Sequence, residues 1–134
     1  MGIKDKWGFM GKNMILLVED NKNVQKFNKR MLERNNFDTE QAMTLAAARD
    51  FLAQRTPAAI ILDVGMPDGN GLDFLRELRQ TSQVPVLLLT GYRIDLTFLR
   101  EFTTNRNDYL KKPYEFEVLL ERLKILMQKA GMKT

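Results

Sequence analysis

The chain has 134 residues, 44% hydrophobic and 28% charged, enough for one domain that buries a single core without help. Cysteine and histidine are both absent, which excludes disulfides, thiol nucleophiles, zinc–thiolate sites and imidazole chemistry and leaves carboxylates, hydroxyls and lysine for any reaction. The net charge of +4 sits at the ends: three Lys and one Asp lie in residues 1–13, and Arg122, Lys124, Lys129 and Lys133 follow residue 121 without an acid, so residues 14–121 carry −2 and no basic face for nucleic acid is expected.

Residues 1–13, MGIKDKWGFMGKN, contain no apolar signal-peptide core, and Lys6 stands where an N-myristoylation signal carries Ser or Thr. They read as an N-terminal extension whose Trp7, Phe9 and Met10 either pack on the domain or a partner, or belong to a disordered end. MILLV, Met14 to Val18, is a continuous apolar run of the kind found in parallel strands covered on both faces. Glu19 and Asp20 follow it, and then Val24, Phe27, Met31 and Leu32 recur at helical spacing. A weaker strand, FDTEQA, precedes a second helix carrying Leu45, Ala48 and Leu52. AAIIL, Ala58 to Leu62, is a third strand that runs into Asp63 and the turn-rich MPDGNG, and Leu72, Leu75 and Leu78 mark a third helix. VPVLLLT, Val84 to Thr90, predicts a fourth strand, and Ile94, Phe98 and Phe102 a fourth helix. NDYLKK and the periodic Phe116, Leu119, Leu120, Leu123 and Leu126 complete a fifth pair.

Five strand–helix repeats imply a doubly wound α/β fold: a five-stranded parallel sheet of order 2-1-3-4-5, flavodoxin-like (βα)5. The longest apolar runs hold about half a dozen residues, against the roughly 20 needed to span a bilayer. The chain therefore reads as cytoplasmic, with no membrane contact.

Right-handed crossovers bring the C-terminal ends of all parallel strands to one edge, where open α/β sheets place their ligands. Glu19 and Asp20 end strand one, Asp63 ends strand three, Thr90 ends strand four and Lys112 ends strand five. Three carboxylates in one cleft repel unless a divalent cation lies among them, and an all-oxygen set with room for water suits Mg2+ or Mn2+. With that charge cancelled, Asp63 can attack phosphorus as a nucleophile, and Thr90 and Lys112 can hold the remaining phosphoryl oxygens. Singly, each residue has an ordinary reading: Asp20 or Asn21 as a helix cap, Thr90 as a strand end, Lys112 as a surface charge, Tyr109 as core and Asp68 as a turn former. Their convergence on one edge favours the chemical reading.

ILLVEDN, IILDVGMPDGNGL, VPVLLLTG and NDYLKKPY resemble the successive signatures of the response-regulator receiver domain of two-component signalling. The resemblance covers about residues 14–129 and leaves 130–134 as a tail or linker stump. It implies that Asp63 is the phosphoacceptor and that Glu19, Asp20, Asp63 and the backbone carbonyl of Gly65 bind Mg2+ or Mn2+. It also implies that Thr90 is the switch hydroxyl, Lys112 the phosphoryl-binding lysine and Tyr109 the switch aromatic. The partner would be a sensor histidine kinase, and the face of the fourth helix, fifth strand and fifth helix would switch. A phosphorylation-promoted homodimer would use that face, with Asp108 and Arg122 pairing across it. Gly65 and Tyr92 would border the approach of hydrolytic water, making dephosphorylation slow. Such a protein catalyses only its own phosphorylation and slow autodephosphorylation, and DNA would be reached only through an effector domain in the parent protein.

The chain departs from the family pattern at Gly91, where alanine is common, and at Asn105 and Arg106, where small residues are usual. A phosphohydrolase of the haloacid dehalogenase type would need a second Asp two residues after the nucleophile, and Gly65 stands there. The remaining alternative is a non-phosphorylated pseudo-receiver acting as a protein-binding module.

Overall fold

The structure, a computed structural model, describes residues 13–91, 97, 100, 104 and 106–131. Apolar runs become the strands β1 (Met14–Val18), β3 (Ala59–Asp63) and β4 (Val86–Thr90), every residue of which is buried. The mixed segments become β2 (Asp38–Ala42) and β5 (Asn107–Lys111), which are only partly covered. This division follows from position: the parallel sheet runs β2-β1-β3-β4-β5, and the two polar strands are its edges. The expected fold and strand order are both observed.

Alternate residues of each strand feed two cores. Leu16, Val18, Ile60, Leu62 and Leu88 meet α2 (Leu45–Gln54) and α3 (Gly71–Arg79) on one side. Ile15, Leu17, Ile61, Leu87 and Leu89 meet Leu32 of α1 (Lys22–Arg34) and Leu119, Leu123 and Leu126 of the C-terminal helix (Phe116–Gly131) on the other. Strand β4 begins two residues later than expected, after Pro85, which has no N–H for a ladder. Strand β3 runs one residue further, so Asp63 is its last member and pairs in register with Leu89. The predicted fourth helix lies mostly outside the described residues, though Thr97 and Arg100 are helical and exposed. Residues 1–12 of the N-terminal extension and Asn105 lie outside them too.

Helix α1 departs from the apolar face that its periodicity predicts. Its buried residues are Gln25, Asn28 and Leu32, whereas Phe27 is 53% exposed and meets Phe116 edge-on, with centroids 6.2 Å apart. The strand carbonyls beneath the helix explain the turn: Gln25 Nε2 donates to Leu17 O at 2.9 Å and to Ala42 O at 3.4 Å. A side-chain amide fits this face better than a ring because it can donate to those buried acceptors.

Side-chain caps start the helices. Asn21 Oδ1 accepts from the N–H groups of Asn23 and Val24, Thr44 Oγ1 from Ala47 and Asn70 Oδ1 from Leu72. Asp68 reaches across from the hairpin Gly65–Met66/Gly69–Asn70 and accepts from Leu45 N at 2.8 Å and Ala46 N at 3.0 Å. These two bonds hold its carboxyl pKa below the usual value. Its stabilising contribution is therefore present above the unfolded carboxylate pKa of about 3.9 and is lost as pH falls through the lower folded value. Thr44→Ala should cost about 1 kcal/mol at neutral pH. In urea titrations from pH 7 downward, the stability gap between wild type and Asp68→Asn should close in acid; a gap that persists there contradicts the cap.

Candidate functional site

The strand ends border an open cleft of about 520 Å³ lined by Glu19, Asp20, Asn21, Asp63, Gly65 and Lys112, among others. Asp63 is only 5% exposed. Its Oδ2 accepts from Lys112 Nζ at 2.5 Å and its Oδ1 from the Gly65 N–H at 2.9 Å. Lys112 follows β5 directly, its own N–H donating to Thr90 O at 2.7 Å, and its bond to Pro113 is cis. Burial pulls the Lys112 ammonium down, but the hydrogen bond and charge of Asp63, with Glu19 beyond, hold its pKa above the ordinary value.

Glu19 shows the strain in the cleft most directly. It is 5% exposed; Oε2 accepts from Asn21 N at 2.9 Å, and the buried Oε1 has no hydrogen-bond partner among the described residues. Burial, followed by the neighbouring Asp63 carboxyl, pushes its pKa up to about 7 against the opposing pull of the Asn21 N–H. Asp20, by contrast, is exposed at the rim. The three acids thus share the cleft, yet among the described residues no three carboxylates form a preformed metal cage. The donor chemistry still fits a hard divalent cation: all ligands are oxygens, one buried carboxylate oxygen lacks a partner, and two carboxylates crowd each other.

Thr90 is fully buried, and its Oγ1 finds no hydrogen-bond partner among the described residues. Gly91, rather than Thr90, lines the cleft. Tyr109 is half-buried against the core beside α3, opposite Leu88. Tyr92 lies outside the described residues. Asp108 and Arg122 meet within one chain: Arg122 Nη1 donates to Oδ2 at 3.0 Å, to Oδ1 at 3.2 Å and to Tyr109 O at 3.3 Å. Val118 and Ile125 on the same helix are exposed at 38% and 40%.

Several contributors escape sequence reasoning. A Cβ on Gly71 would fall 2.6 Å from Asp63 O and 2.8 Å from Val64 Cα, so glycine lets α3 begin pressed against the backbone that carries Asp63. Only its place after Asn70, at the start of a periodic stretch, hints at this. Asn28 and Tyr114 form a polar contact behind Lys112, with Asn28 Nδ2 donating to the Tyr114 hydroxyl at 3.3 Å. Apolar periodicity gives no sign of it, because both residues are polar.

Residues 15–124 match the response regulator receiver domain family. The KDP operon transcriptional regulatory protein KdpE of Escherichia coli K12 is 34% identical over 120 residues, covering 90% of this chain and 53% of that protein. Transcriptional regulatory protein CpxR of the same organism is 34% identical over 118 residues, covering 88% and 50%. The chain thus spans about half the length of these curated relatives. Among solved structures, the Francisella response regulator 1452 receiver domain matches with a TM-score of 0.79 at 27% identity, covering 88% of this chain and 98% of that one. The BeF3-activated N-terminal receiver domain of Klebsiella pneumoniae RstA matches with a TM-score of 0.76 at 28% identity, covering 86% and 98%. Among the described residues, no helix is long and apolar enough to cross a membrane.

The raised Glu19 pKa has a measurable consequence in metal-free protein. A carboxyl that holds its proton more tightly when folded contributes stability fully below its unfolded pKa of about 4.3, and that stability is lost as pH rises through about 7. Glu19→Gln should flatten that decline and raise stability near pH 8 by on the order of 1–3 kcal/mol. Urea denaturation in chelator provides the measurement, and a wild-type profile level across that window would contradict the buried, crowded carboxyl.

Proposed function

Since the chain belongs to the response regulator receiver domain family, we propose that it is a phosphoacceptor that takes a phosphoryl group from a phosphohistidine of a sensor histidine kinase onto Asp63. The observation carrying this reading is the Asp63–Lys112 contact at the mouth of an acidic cleft, a carboxylate nucleophile with a cation already at hand. An Asp63 carboxylate oxygen forms the new O–P bond as the N–P bond breaks, and the leaving imidazole takes a proton. Lys112 transfers its donor from the carboxylate to a phosphoryl oxygen, keeping its charge paired throughout. Glu19, Asp20, Asp63 and the Gly65 carbonyl would hold Mg2+ or Mn2+, which when bound cancels the charge of the crowded carboxylates and of the incoming group.

Thr90 supports the switching part of this reading. A buried hydroxyl without a partner is costly, and a phosphoryl oxygen on Asp63 would give it an acceptor. Movement of Thr90 would free space for the half-buried ring of Tyr109 and so alter the face formed by the fourth helix, β5 and the C-terminal helix. That face would form a phosphorylation-promoted homodimer in which Asp108 and Arg122 exchange their internal pairing for one across the interface. Gly65 and Tyr92 offer no carboxylate or amide to orient a hydrolytic water, so the phosphoryl group would be lost slowly. Any contact with DNA would come from an effector domain in the parent protein, in the cytoplasm. The protein would turn over no external substrate.

With Mg2+ and acetyl phosphate, intact-mass spectrometry should show one acid-labile phosphoryl group, and Asp63→Asn should abolish it. Equal incorporation in the variant would remove Asp63 from this role. A wild-type chain that gains nothing would favour the protein-binding pseudo-receiver instead.

A further inference from the structure

The loop that carries Lys112 has few tethers. Its first is the Lys112 N–H to Thr90 O; Pro113 has no N–H to give, and the next backbone contacts are those of Glu115 O with Val118 and Leu119, already inside the C-terminal helix. Between these lies Tyr114, which is partly buried and whose hydroxyl accepts from Asn28 Nδ2. Asn28 is 4% exposed, on the buried face of α1 between Gln25 and Leu32. The same helix is fixed to the opposite side of the cleft. Its cap residue Asn21 donates its N–H to Glu19 Oε2, and Gln25 donates to Leu17 O at the end of β1. One rigid element therefore spans from the acidic side of the cleft to the lysine side.

The phenol is also within electrostatic reach of the cleft. Burial raises the Tyr114 pKa, and Lys112, Glu19 and Asp63 all act on it. We propose that Asn28 and Tyr114 are positioning residues that hold the Lys112 ammonium at Asp63 for phosphoryl transfer. The inference rests on the phosphoacceptor reading of Asp63. Small displacements of a group that must follow the moving phosphoryl charge are expensive in rate, because orientation supplies much of the barrier reduction.

The test uses Tyr114→Phe, Asn28→Leu and the double variant, each followed by its phosphorylation time course with acetyl phosphate at saturating Mg2+ and by urea denaturation. Each single change orphans a buried polar group, whereas the double change replaces both partners with apolar groups of similar shape. The double variant should therefore regain most of the stability lost by the singles while its rate stays about three- to tenfold below wild type, no slower than the worse single variant. The Mg2+ concentration giving half the maximal rate should not move. A rate that recovers together with stability would show a purely structural contact and overturn the proposal. So would unchanged rates in the singles, losses that multiply in the double variant, or an altered Mg2+ requirement. If the wild-type chain takes up no phosphoryl group, the phosphoacceptor reading falls and this inference with it; normal wild-type uptake with a fully active Tyr114→Phe overturns this inference alone.

Discussion

Two carboxylates buried at the ends of adjacent parallel strands set the terms for the rest of the molecule. Asp63 and Glu19 lie where the sheet leaves them little water, and neither charge is tolerable there without a counterpart. Lys112 compensates one of them directly, and Glu19 responds by holding its proton to about neutral pH. The surrounding polar features can be read as the supports that keep this arrangement in place. The N–H groups of Gly65 and Asn21 point at the two carboxylates, and the N–H of Lys112 ties its loop to β4. Crowded charge is usually a defect in a protein interior, and here it is concentrated at an open cleft on the C-terminal edge of the sheet.

The central strands were legible from the sequence because strands buried on both faces show as unbroken apolar runs, and β1, β3 and β4 are such strands. Site residues at their ends followed from topology alone: once the order was 2-1-3-4-5, Glu19, Asp20, Asp63 and Lys112 had to share an edge. Helix α1 was less legible. Periodicity assigns Phe27 inward, but polar side chains take the buried face: Gln25 donates to the carbonyls of Leu17 and Ala42, and Asn28 to the Tyr114 hydroxyl. Hydropathy patterns register apolar demand and miss hydrogen-bond demand. Thr90 illustrates a second limit, since a residue's place at a strand end does not say whether its hydroxyl lines the cleft or lies behind it.

Gly71 and Asp68 show how the segment after Asp63 is held without a long element of its own. Gly71 donates its N–H to Val64 O at 2.7 Å and admits a backbone approach closed to any side chain. Asp68 fastens the turn to the start of α2. Asp63 is thus followed by a few residues clamped at both ends, so its carboxylate is aimed by covalent geometry and neighbouring helices together.

The internal pairing of Asp108 with Arg122 bears on any assembly that would use these residues. An ion pair already satisfied within each subunit cannot be counted again when two subunits meet; exchanging it for the equivalent pair across an interface breaks as many contacts as it makes. Its net worth to association is then near zero, though its geometry still selects one relative orientation over others. The driving force would have to come from surface not yet compensated, such as Val118 and Ile125, one turn to either side of Arg122 on the same helix. In such an assembly the charged pair would act as a register mark, and the exposed aliphatic side chains would supply the affinity.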